Sequence, residues 1–512
     1  MAEQQLHFVV LGGGTAGWMA ACLVAKTWPQ HKVTVVESPD IGIIGVGEGS
    51  TPQLKAFFDT LGLTESEWMP KCNATYKAGI SFHGWSERPG FESYFHPFHT
   101  NLDGFTEPQF AFHTRARRTG RDVYAHPDRF FLPARIAAER RAPIAPTNFP
   151  FQIGYGYHFD AVLVGHVLRE HATTKLNVAY LERTVSEVML DEEGSVASLH
   201  VEGSEGISGD FFIDCSGFRG AIIQKALKVP FIPFTENLFN NRAVAMPTPN
   251  DEGYLPSETR ATALSAGWAW RIPLTGRAGN GYVYSSHYID THAAENELRR
   301  HLGLLDSDVE ARHLQMNVGR VERSWVKNCL AVGLSQGFIE PLEATALHIV
   351  QATVEGFIQA FEDGGQSDKH ASSFNKNIGH RYDGIRDYIV AHYRMNQRTD
   401  SDYWRANAAN QNLSDNLKSV MTAWFTGADL SAEIHSLDIG RYYSSLSWHC
   451  LFAGYGTFPP DAKLLASTEG MDLADMEQID RFIGGCAQNF PSHRSALANL
   501  SPSPSSIISP RL

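Results

Sequence analysis

The chain has 512 residues, of which 43% are hydrophobic, and a formal net charge of −13. This acidic balance argues against a nucleic-acid-binding protein, which would need a basic stripe. The six cysteines are scattered singly and without a CxxC spacing, no signal peptide precedes the first strand, and there is no apolar run of about 18 residues, so we predict a cytoplasmic protein with no metal site and no membrane span.

The N-terminal residues predict a strand, a helix and a second strand. Residues 7–11 are an apolar run, GGGTAGW follows, MAACLVAK continues as an apolar helix, and residues 31–38 are rich in β-branched side chains. This order forms a βαβ unit, in which the strands are parallel and covered by helices.

The glycines between the first strand and the helix have the spacing of a dinucleotide-binding fingerprint. Gly12 permits the tight turn, Gly14 lets the backbone approach a pyrophosphate, and Gly17 allows close helix–strand packing. Glu37 closes the next strand and would accept hydrogen bonds from ribose hydroxyls. The start of the helix favours the anion. The alternative is a glycine-rich turn that binds nothing. The predicted cofactor contacts here also include Thr15 and Ala16.

Residues 75–83 predict one continuous strand. Alternation would place its large apolar side chains on one face and Lys77 on the other, beside the small residues Gly79 and Ser81. A lysine that projects across small residues has room for a ligand beside its ammonium group, and burial would make its pKa tunable. Most lysines, however, are merely solvated.

The rest of the chain predicts further strands and then helices. We assign no regular structure to the loop-rich residues 86–150. A helix is predicted at 160–172, and beyond 341 apolar residues at three- and four-residue spacing predict helices, including most of 380–490. Strands are predicted near 178–190, 196–202 and 209–214 and in two runs within 267–287. The Ser/Pro-rich end, 501–512, is predicted to be disordered.

These elements predict an α/β fold with a doubly wound, FAD-binding core of the aromatic-hydroxylase-like type and a mostly helical C-terminal extension. Residues 1–360 would form the core with an inserted substrate-side sheet, 361–490 a helical region that covers the substrate, and 491–512 a flexible tail. FAD is favoured over NAD by 211–220 and 329–345, where a strand is followed by a Gly-rich turn. No second GxGxxG follows, so no separate nicotinamide site is predicted.

The sequence resembles the flavin-dependent tryptophan halogenase family over residues 5–460. The Trp-x-Trp-x-Ile-Pro element is the most specific part of this resemblance, because related flavin monooxygenases generally lack it. The matching segments are GGGTAGW (12–18), GVGEGSTP (45–52), YKAGISF (76–82), GWAWRIP (267–273) and GFIEPLEAT (337–345).

The resemblance implies an enzyme that halogenates a small electron-rich aromatic with FADH2, oxygen, and bromide or chloride. A separate flavin reductase would supply the FADH2. Halide would be oxidised to hypohalous acid, which would pass through a tunnel to Lys77, and this lysine would hydrogen-bond the acid or carry the halogen as a haloamine. Residues 45–52 would form a mobile strap over the flavin. The implied cofactor contacts are Gly47, Gly49, Val185, Leu334 and Leu347.

The segment 337–345 would carry a base and a halide site. The resemblance implies that Glu343 takes the ring proton or orients the oxidant, with Glu340 as the weaker candidate. The alternative for Glu343 is an acid in the first turn of a helix, which simply complements the helix dipole. The helix-start amides of Thr345 and Ala346 would hold the halide.

The substrate predicted from the resemblance is an indole rather than free tryptophan. Free-tryptophan halogenases carry a Tyr-Tyr pair and a glutamate that anchor the amino-acid end, and we find no such clamp in the shortened segment 439–456. Tyr443 falls near the family's stacking position. His96 and Phe98 match its indole-sandwiching pair, although they could simply belong to a proline-stiffened loop.

Two substitutions distinguish the expected halide site. Ala344 and Ala346 stand where the family commonly has a serine and a glycine. The backbone N–H of Ala346 remains, but its methyl group would reshape the halide pocket, which suggests a preference for bromide.

Two other functions stay open at this stage. A flavin-dependent aromatic monooxygenase would reduce its own flavin with a nicotinamide, and a non-catalytic flavin-binding module would have lost its chemistry. In the family, Trp268 and Trp270 keep the substrate away from the flavin and so suppress hydroxylation, but an aromatic pair that alternates along a strand can equally serve core packing.

Overall fold

Six sheets and fifteen α-helices make up the part of the chain that the computed structural model describes. This part comprises residues 5–40, 47–201, 206–250, 253, 255–466 and 475–500.

The predicted βαβ unit lies at the centre of a six-stranded sheet, which confirms the α/β prediction. His7–Leu11 pairs in parallel with Lys32–Glu37 on one side and with Phe211–Asp214 on the other. Its side chains are buried on both faces because helices cover the sheet, as in other parallel sheets. The strands, in order across the sheet, are Trp325–Val326, Cys329–Ala331, Phe211–Asp214, His7–Leu11, Lys32–Glu37 and Ala179–Glu182.

Three helices pack around this sheet. Helix Thr15–Thr27 contacts both Ala161–Lys175 and Ala346–Asp363. Aromatic rings fill the space between helix and sheet: the ring of Phe8 stacks on Trp28 with centroids 5.3 Å apart. This buried packing holds the helices in place against the central sheet.

A seven-stranded sheet forms the second layer, and it contains the two strands predicted within 267–287. Glu258–Leu264 pairs in parallel with Gly79–His83, and the other neighbours pair antiparallel. A Cβ atom on Gly281 would lie 2.1 Å from the ring of Trp270, so this ring packs directly on the neighbouring backbone. The strand order is Arg312–Gln315, Arg242–Thr248, Ala278–Tyr284, Gly267–Pro273, Glu258–Leu264, Gly79–His83 and Ser93–Pro97.

The prediction of one strand over 75–83 is wrong. Thr75–Lys77 belongs to a small antiparallel sheet with Gly156–Phe159 and Glu48–Gly49, whereas Gly79–His83 belongs to the seven-stranded sheet. The chain changes sheet at Ala78, whose N–H donates to a carbonyl outside both sheets. Alternation along the sequence therefore does not determine what lies beside Lys77.

The loop assignment for 86–150 is also wrong. These residues contain the strand Ser93–Pro97 and the helices Asp103–Arg118 and Leu132–Ala138. The longer helix has Pro108 in its interior, and proline normally signals the end of a helix. Smaller sheets complete the strands: Val185–Leu190, Val196–Val201 and Ile207–Ser208; Phe231–Pro233, Gly319–Val321 and Gly337–Phe338; Arg121–Asp122 and Leu465–Ala466.

The C-terminal part is mostly helical, as predicted. The boundary at residue 360 falls inside helix Ala346–Asp363 and stays a prediction. The remaining helices are Gln53–Leu61, Glu65–Trp68, Thr291–Leu302, Ala371–Arg394, Asp402–Ala409, Asp415–Phe425, Leu430–Ser436, Ser445–Gly454, Met476–Ala487 and His493–Ala498. Within the described ranges, no helix combines the length and apolar composition needed to cross a bilayer.

The predicted flexible tail begins at residue 491, but the fold continues beyond that residue. Helix His493–Ala498 is part of the fold, because His493 is buried and its Nε2 accepts a hydrogen bond from the backbone N–H of Tyr76. The predicted disorder of 501–512 lies outside the described residues.

Candidate functional site

A cavity of about 550 Å³ opens at the carboxyl ends of the central parallel strands. Leu11, Glu37 and Cys215 line it where three neighbouring strands end. This edge is where open α/β sheets bind their ligands. The same cavity extends to the seven-stranded sheet and to Lys77, so it joins the two layers of the fold.

The geometry around the fingerprint glycines fits a pyrophosphate. Gly12 has a φ of +117°, and a Cβ there would lie 2.2 Å from the carbonyl oxygen of Cys215. A Cβ on Gly17 would lie 1.9 Å from the oxygen of Gly12, whereas one on Gly14 would meet no atom within 4 Å. Gly14 therefore faces open space at the start of a helix, whose first N–H groups have no partner within the helix.

Glu37 offers an unused acceptor to this space. Its Oε2 atom is buried and has no hydrogen-bond partner among the described residues. Such an atom fits the predicted ribose contact, because a buried acceptor left without a donor is costly. Of the predicted cofactor residues, Gly17 lies behind the turn, and the following line the cavity: Gly12, Gly14, Thr15, Ala16, Glu37, Gly47, Gly49, Val185, Leu334 and Leu347.

The predicted strap is only partly visible. Gly45 and Val46 lie outside the described residues, and the described part begins at Gly47. Glu48 and Gly49 form the edge strand of the small antiparallel sheet and line the cavity. Together with the fingerprint, these residues fit a dinucleotide such as FAD.

Lys77 is completely buried in the lining of the cavity, and its Nζ atom has no hydrogen-bond partner in the described structure. Burial lowers the pKa of Lys77 to about 7, against an opposing effect of Glu343. The small residue beside the ammonium group is Gly49, where an added Cβ would lie 3.1 Å from Nζ. The ring of Phe98 lies 5.4 Å from Nζ. Lys77 is thus a buried cation in the wall of the cavity.

Trp268 and Trp270 line the same cavity side by side, with ring centroids 6.3 Å apart. The indole N–H of Trp268 donates to Glu340 Oε2 at 3.0 Å, and Asn240 donates to the same oxygen at 2.9 Å. Glu340 is fully buried, and burial raises its pKa. Oε2 of Glu340 thus holds the Trp268 ring in place, while Oε1 is buried without a hydrogen-bond partner among the described residues.

Glu343 does not lie in the first turn of the long helix, contrary to expectation. It ends a short 3₁₀ turn, Pro341–Glu343, and the helix begins at Ala346. Its Oε1 accepts hydrogen bonds from His392 Nε2 at 2.9 Å and from His96 Nδ1 at 3.2 Å. Complementing the dipole of the long helix therefore does not account for Glu343.

These two histidines keep Glu343 ionised. Burial pushes the pKa of Glu343 upward, but the charge of His96 and the hydrogen bonds from both histidines outweigh it and hold this pKa at about 2. Both hydrogen bonds end on Oε1, and within the described chain no donor reaches Oε2. The second oxygen is therefore available as an acceptor.

The predicted halide residues form the turn into the long helix. Ala344 has a φ of +55°, Thr345 is the buried N-cap residue, and Ala346 is the first helical residue. Ala344 and Ala346 line the cavity, whereas Thr345 does not. The unpaired amides of this helix start can hold an anion.

The predicted substrate residues are only partly brought together. Phe98 lies beside Lys77, but His96 is engaged with Glu343. Tyr443 stacks on Tyr388 with centroids 3.6 Å apart, and Tyr388 lies 6.1 Å from His96. The ring of Tyr388 thus occupies the space between His96 and Tyr443.

Sequence reasoning missed Tyr388 and His392. Both lie on helix Ala371–Arg394 at a spacing of four, which places them on one helix face. That spacing was readable, but their partners come from distant parts of the chain. His392 is fully buried, and its Nδ1 bonds the hydroxyl of Tyr455 at 2.7 Å.

Fold and site together define a flavoprotein-type α/β protein in which one cavity is lined by both the dinucleotide fingerprint and a buried lysine. The family model for tryptophan halogenase matches residues 7–470. The chain belongs to the tryptophan halogenase family. It is a flavin-dependent halogenase, so the monooxygenase and non-catalytic alternatives are not supported.

Several named relatives cover most of the chain. Tryptophan 6-halogenase ThaL of Streptomyces albogriseolus is 34% identical over 92% of this chain and 93% of its own length. Tryptophan 6-halogenase SttH of Streptomyces toxytricini is 37% identical over 78% and 80%, respectively. The solved structure of BrvH, a flavin-dependent halogenase from Brevundimonas sp. BAL3, superposes with a TM-score of 0.81 at 30% identity, covering 98% of this chain and all of that one.

Gly14→Ala should weaken FAD binding without unfolding the protein. The added methyl group meets no protein atom within 4 Å, but it would occupy the space through which a pyrophosphate approaches the backbone. We expect about a tenfold higher Kd for FAD, measured by flavin fluorescence quenching, and an unchanged melting temperature without FAD. Gly17→Ala is the contrast, since its methyl group collides with the Gly12 carbonyl and should lower that melting temperature. An unchanged Kd for Gly14→Ala would contradict the assignment.

Lys77→Met should stabilise the protein. The folded-state pKa of about 7 lies below the ordinary value of 10.5, so between these pH values the unfolded chain binds the extra proton and wild-type stability rises with pH. At pH 7 we expect the variant to be more stable by on the order of 3 kcal/mol in urea unfolding, with the gain shrinking toward pH 10.5. Equal stability of both proteins at pH 7 would show that the ammonium is not buried in solution.

Proposed function

We propose that this halogenase acts on an indole-type aromatic that lacks an anchored amino-acid group, with Lys77 delivering the halogen and Glu343 accepting the ring proton. The observation that carries the proposal is the buried ammonium of Lys77, which has no hydrogen-bond partner among the described residues and lines the same cavity as the dinucleotide fingerprint. Unpaired buried charges are costly and concentrate at functional sites.

The cofactor would be bound by the fingerprint turn, Glu37 and the strap residues that line the cavity. The chemistry that bound, reduced FAD supplies is the activation of oxygen that oxidises halide to hypohalous acid. A separate flavin reductase supplies FADH2, since the sequence contains no second GxGxxG for a nicotinamide. The amides of Thr345 and Ala346 hold the halide, and the methyl group of Ala346 favours bromide.

Two tryptophans in the cavity wall keep the flavin chemistry apart from halogenation of the substrate. Trp268 and Trp270 exclude the organic substrate from the flavin side, while a small oxidant can reach Lys77 along the cavity. The ring carbon then attacks the halogen, the oxygen–halogen bond breaks with its electron pair on oxygen, and this oxygen takes a proton from the Lys77 ammonium and leaves as water. The ring proton passes to the free oxygen of Glu343, which stays ionised because the two histidines lower its pKa.

The surroundings of Tyr443, which falls near the family's stacking position, support a substrate without an amino-acid end. Tyr443 packs against Tyr388, and its buried hydroxyl has no partner among the described residues. In this region the carboxylates of Asp383 and Asp387 are already paired with arginines. Tyr443 and Tyr388 thus offer an aromatic surface, and neither of these two aspartates is free to bind an ammonium group.

Lys77→Ala should abolish halogenation while FAD still binds. The substitution removes the ammonium group together with the chain that carries it, and Lys77 is not one of the fingerprint residues. We expect the yield of halogenated indole, measured by mass spectrometry, to fall at least a hundredfold, which is the size of effect seen when a transition-state contact is lost. The Kd for FAD should not change. Lys71→Ala is the matched control, because Lys71 is exposed and paired with Glu170. Product formation at the wild-type rate would remove Lys77 from the mechanism.

Indole should be a better substrate than free tryptophan. Without an anchor for the amino-acid end, tryptophan buries a charged ammonium and carboxylate with no compensating partner. We expect kcat/KM for indole to exceed that for tryptophan by about tenfold or more, assayed with a flavin reductase, nicotinamide, oxygen and each halide in turn. Efficient, regioselective halogenation of tryptophan would refute the substrate proposal.

A further inference from the structure

A buried chain of hydrogen bonds runs beneath Lys77 and ends at the cavity. Thr75 Oγ1 donates to the carbonyl oxygen of Pro273 at 2.7 Å and bonds His158 Nδ1 at 3.0 Å. His158 Nε2 bonds Thr259 Oγ1 at 2.9 Å. Of these residues, Thr259 lines the cavity together with Lys77. The chain thus ends on a hydroxyl group in the wall of the site described above.

The direction of these hydrogen bonds is fixed by the carbonyl at one end. A carbonyl only accepts, so the single proton of Thr75 is used there, and Thr75 must accept from His158 Nδ1–H. Burial and the nearby charge of Lys77 lower the pKa of His158 far below its usual value, so the ring is neutral and Nε2 carries no proton. Nε2 therefore accepts the proton of Thr259. The hydroxyl of Thr259 is left with lone pairs alone for any further partner.

The ends of the Thr259 and Lys77 side chains lie close together in the wall of the cavity. A methyl group added at Gly49 would be crowded by both, at 3.2 Å from Thr259 Oγ1 and 3.1 Å from Lys77 Nζ. The two atoms are not hydrogen-bonded to each other. The cavity wall at Gly49 therefore carries an acceptor that cannot donate and an ammonium that only donates.

We propose that Thr259 Oγ1 and Lys77 Nζ together bind hypohalous acid at the cavity wall beside Gly49, with Thr259 accepting the O–H proton and Lys77 donating to the oxygen. The inference rests on the proposed function and adds a second ligand and a fixed orientation to it. Hypohalous acid carries one donor and an accepting oxygen, which matches the two groups. Halide ion carries no donor and gains nothing from Thr259.

This arrangement leaves the halogen as the free end of the molecule. When the ring carbon attacks the halogen, the oxygen–halogen bond breaks and its electron pair stays on oxygen. The oxygen takes a proton from Lys77 and leaves as water, and the ring proton goes to Glu343. Of the two roles open to Lys77, the hydrogen-bonding ammonium is thus favoured over a haloamine.

The test removes only the hydroxyl group. Thr259→Val keeps the shape of the side chain, Thr259→Ser keeps the hydroxyl, and Thr262→Val is the matched control on the same strand, where the half-buried Thr262 alternates to the other face. Each variant is assayed with FADH2, bromide, oxygen and indole in the presence of a diketone trap for hypohalous acid released into solution. Two quantities are compared: the rate of flavin oxidation, and the ratio of bromoindole to brominated trap.

For Thr259→Val we expect unchanged flavin oxidation and about a tenfold lower ratio of bromoindole to brominated trap, as for loss of one hydrogen bond. Thr259→Ser should restore the ratio, and Thr262→Val should not change it. As a control, the melting temperature and FAD affinity of Thr259→Val should match those of the wild type. If they do not, the ratio of bromoindole to brominated trap is compared between Thr259→Ser and the wild type instead. A lower ratio for Thr259→Ser overturns the proposal.

The outcomes separate the two proposals. An unchanged ratio for Thr259→Val, with Lys77→Ala inactive, overturns the role of Thr259 and leaves the function of Lys77 standing. Activity in Lys77→Ala overturns the proposed function whatever Thr259→Val does. A lowered ratio that Thr259→Ser does not restore shows that side-chain packing, not the hydroxyl, is responsible, and this also overturns the proposal.

Discussion

The rest of the site is organised around one buried positive charge. Lys77 is fully enclosed and has no hydrogen-bond partner among the described residues. An isolated buried ammonium is costly, and proteins normally avoid it or neutralise it. Here the cost is limited by the nearby carboxylate of Glu343, which raises the pKa of Lys77 although burial lowers it. A group held in this state binds an incoming acceptor strongly, since no internal bond has to break first.

The fold supports this charge through parts that are far apart in the sequence. The small sheet that carries Lys77 is held by three tyrosines, at 76, 155 and 157, whose hydroxyl groups all donate to Glu65. The same sheet brings His158 and Gly49 to the ammonium. The seven-stranded sheet adds Thr259 and the tryptophan pair. One cavity is therefore lined by the dinucleotide fingerprint, the buried ammonium and the tryptophan pair.

The parts of the site that depend on local spacing were predictable from the sequence. The fingerprint glycines and Glu37 lie within one βαβ unit, so their geometry follows from the order of the elements. The surroundings of Lys77 could not be predicted from the sequence, because the alternation of side chains between two faces breaks down at Ala78, where the chain passes from one sheet to another. The partners of Glu343 were equally hidden, since His96 and His392 come from a strand and a helix that only the folded chain brings together. Family resemblance pointed to Lys77 and Glu343 but not to what surrounds them.

The two acids of the segment 337–345 show how position decides chemistry. Glu340 and Glu343 are three residues apart and both buried, yet burial raises the pKa of Glu340 while two histidines lower that of Glu343. Glu340 accepts from neutral donors and holds Trp268 in the wall. Glu343 stays charged, and although a carboxylate of such low pKa is a weak base, a halogenated ring cation is a far stronger acid. In the proposed mechanism such a weak, ionised base would be sufficient for the ring proton, while Lys77 would supply the proton that the leaving oxygen needs.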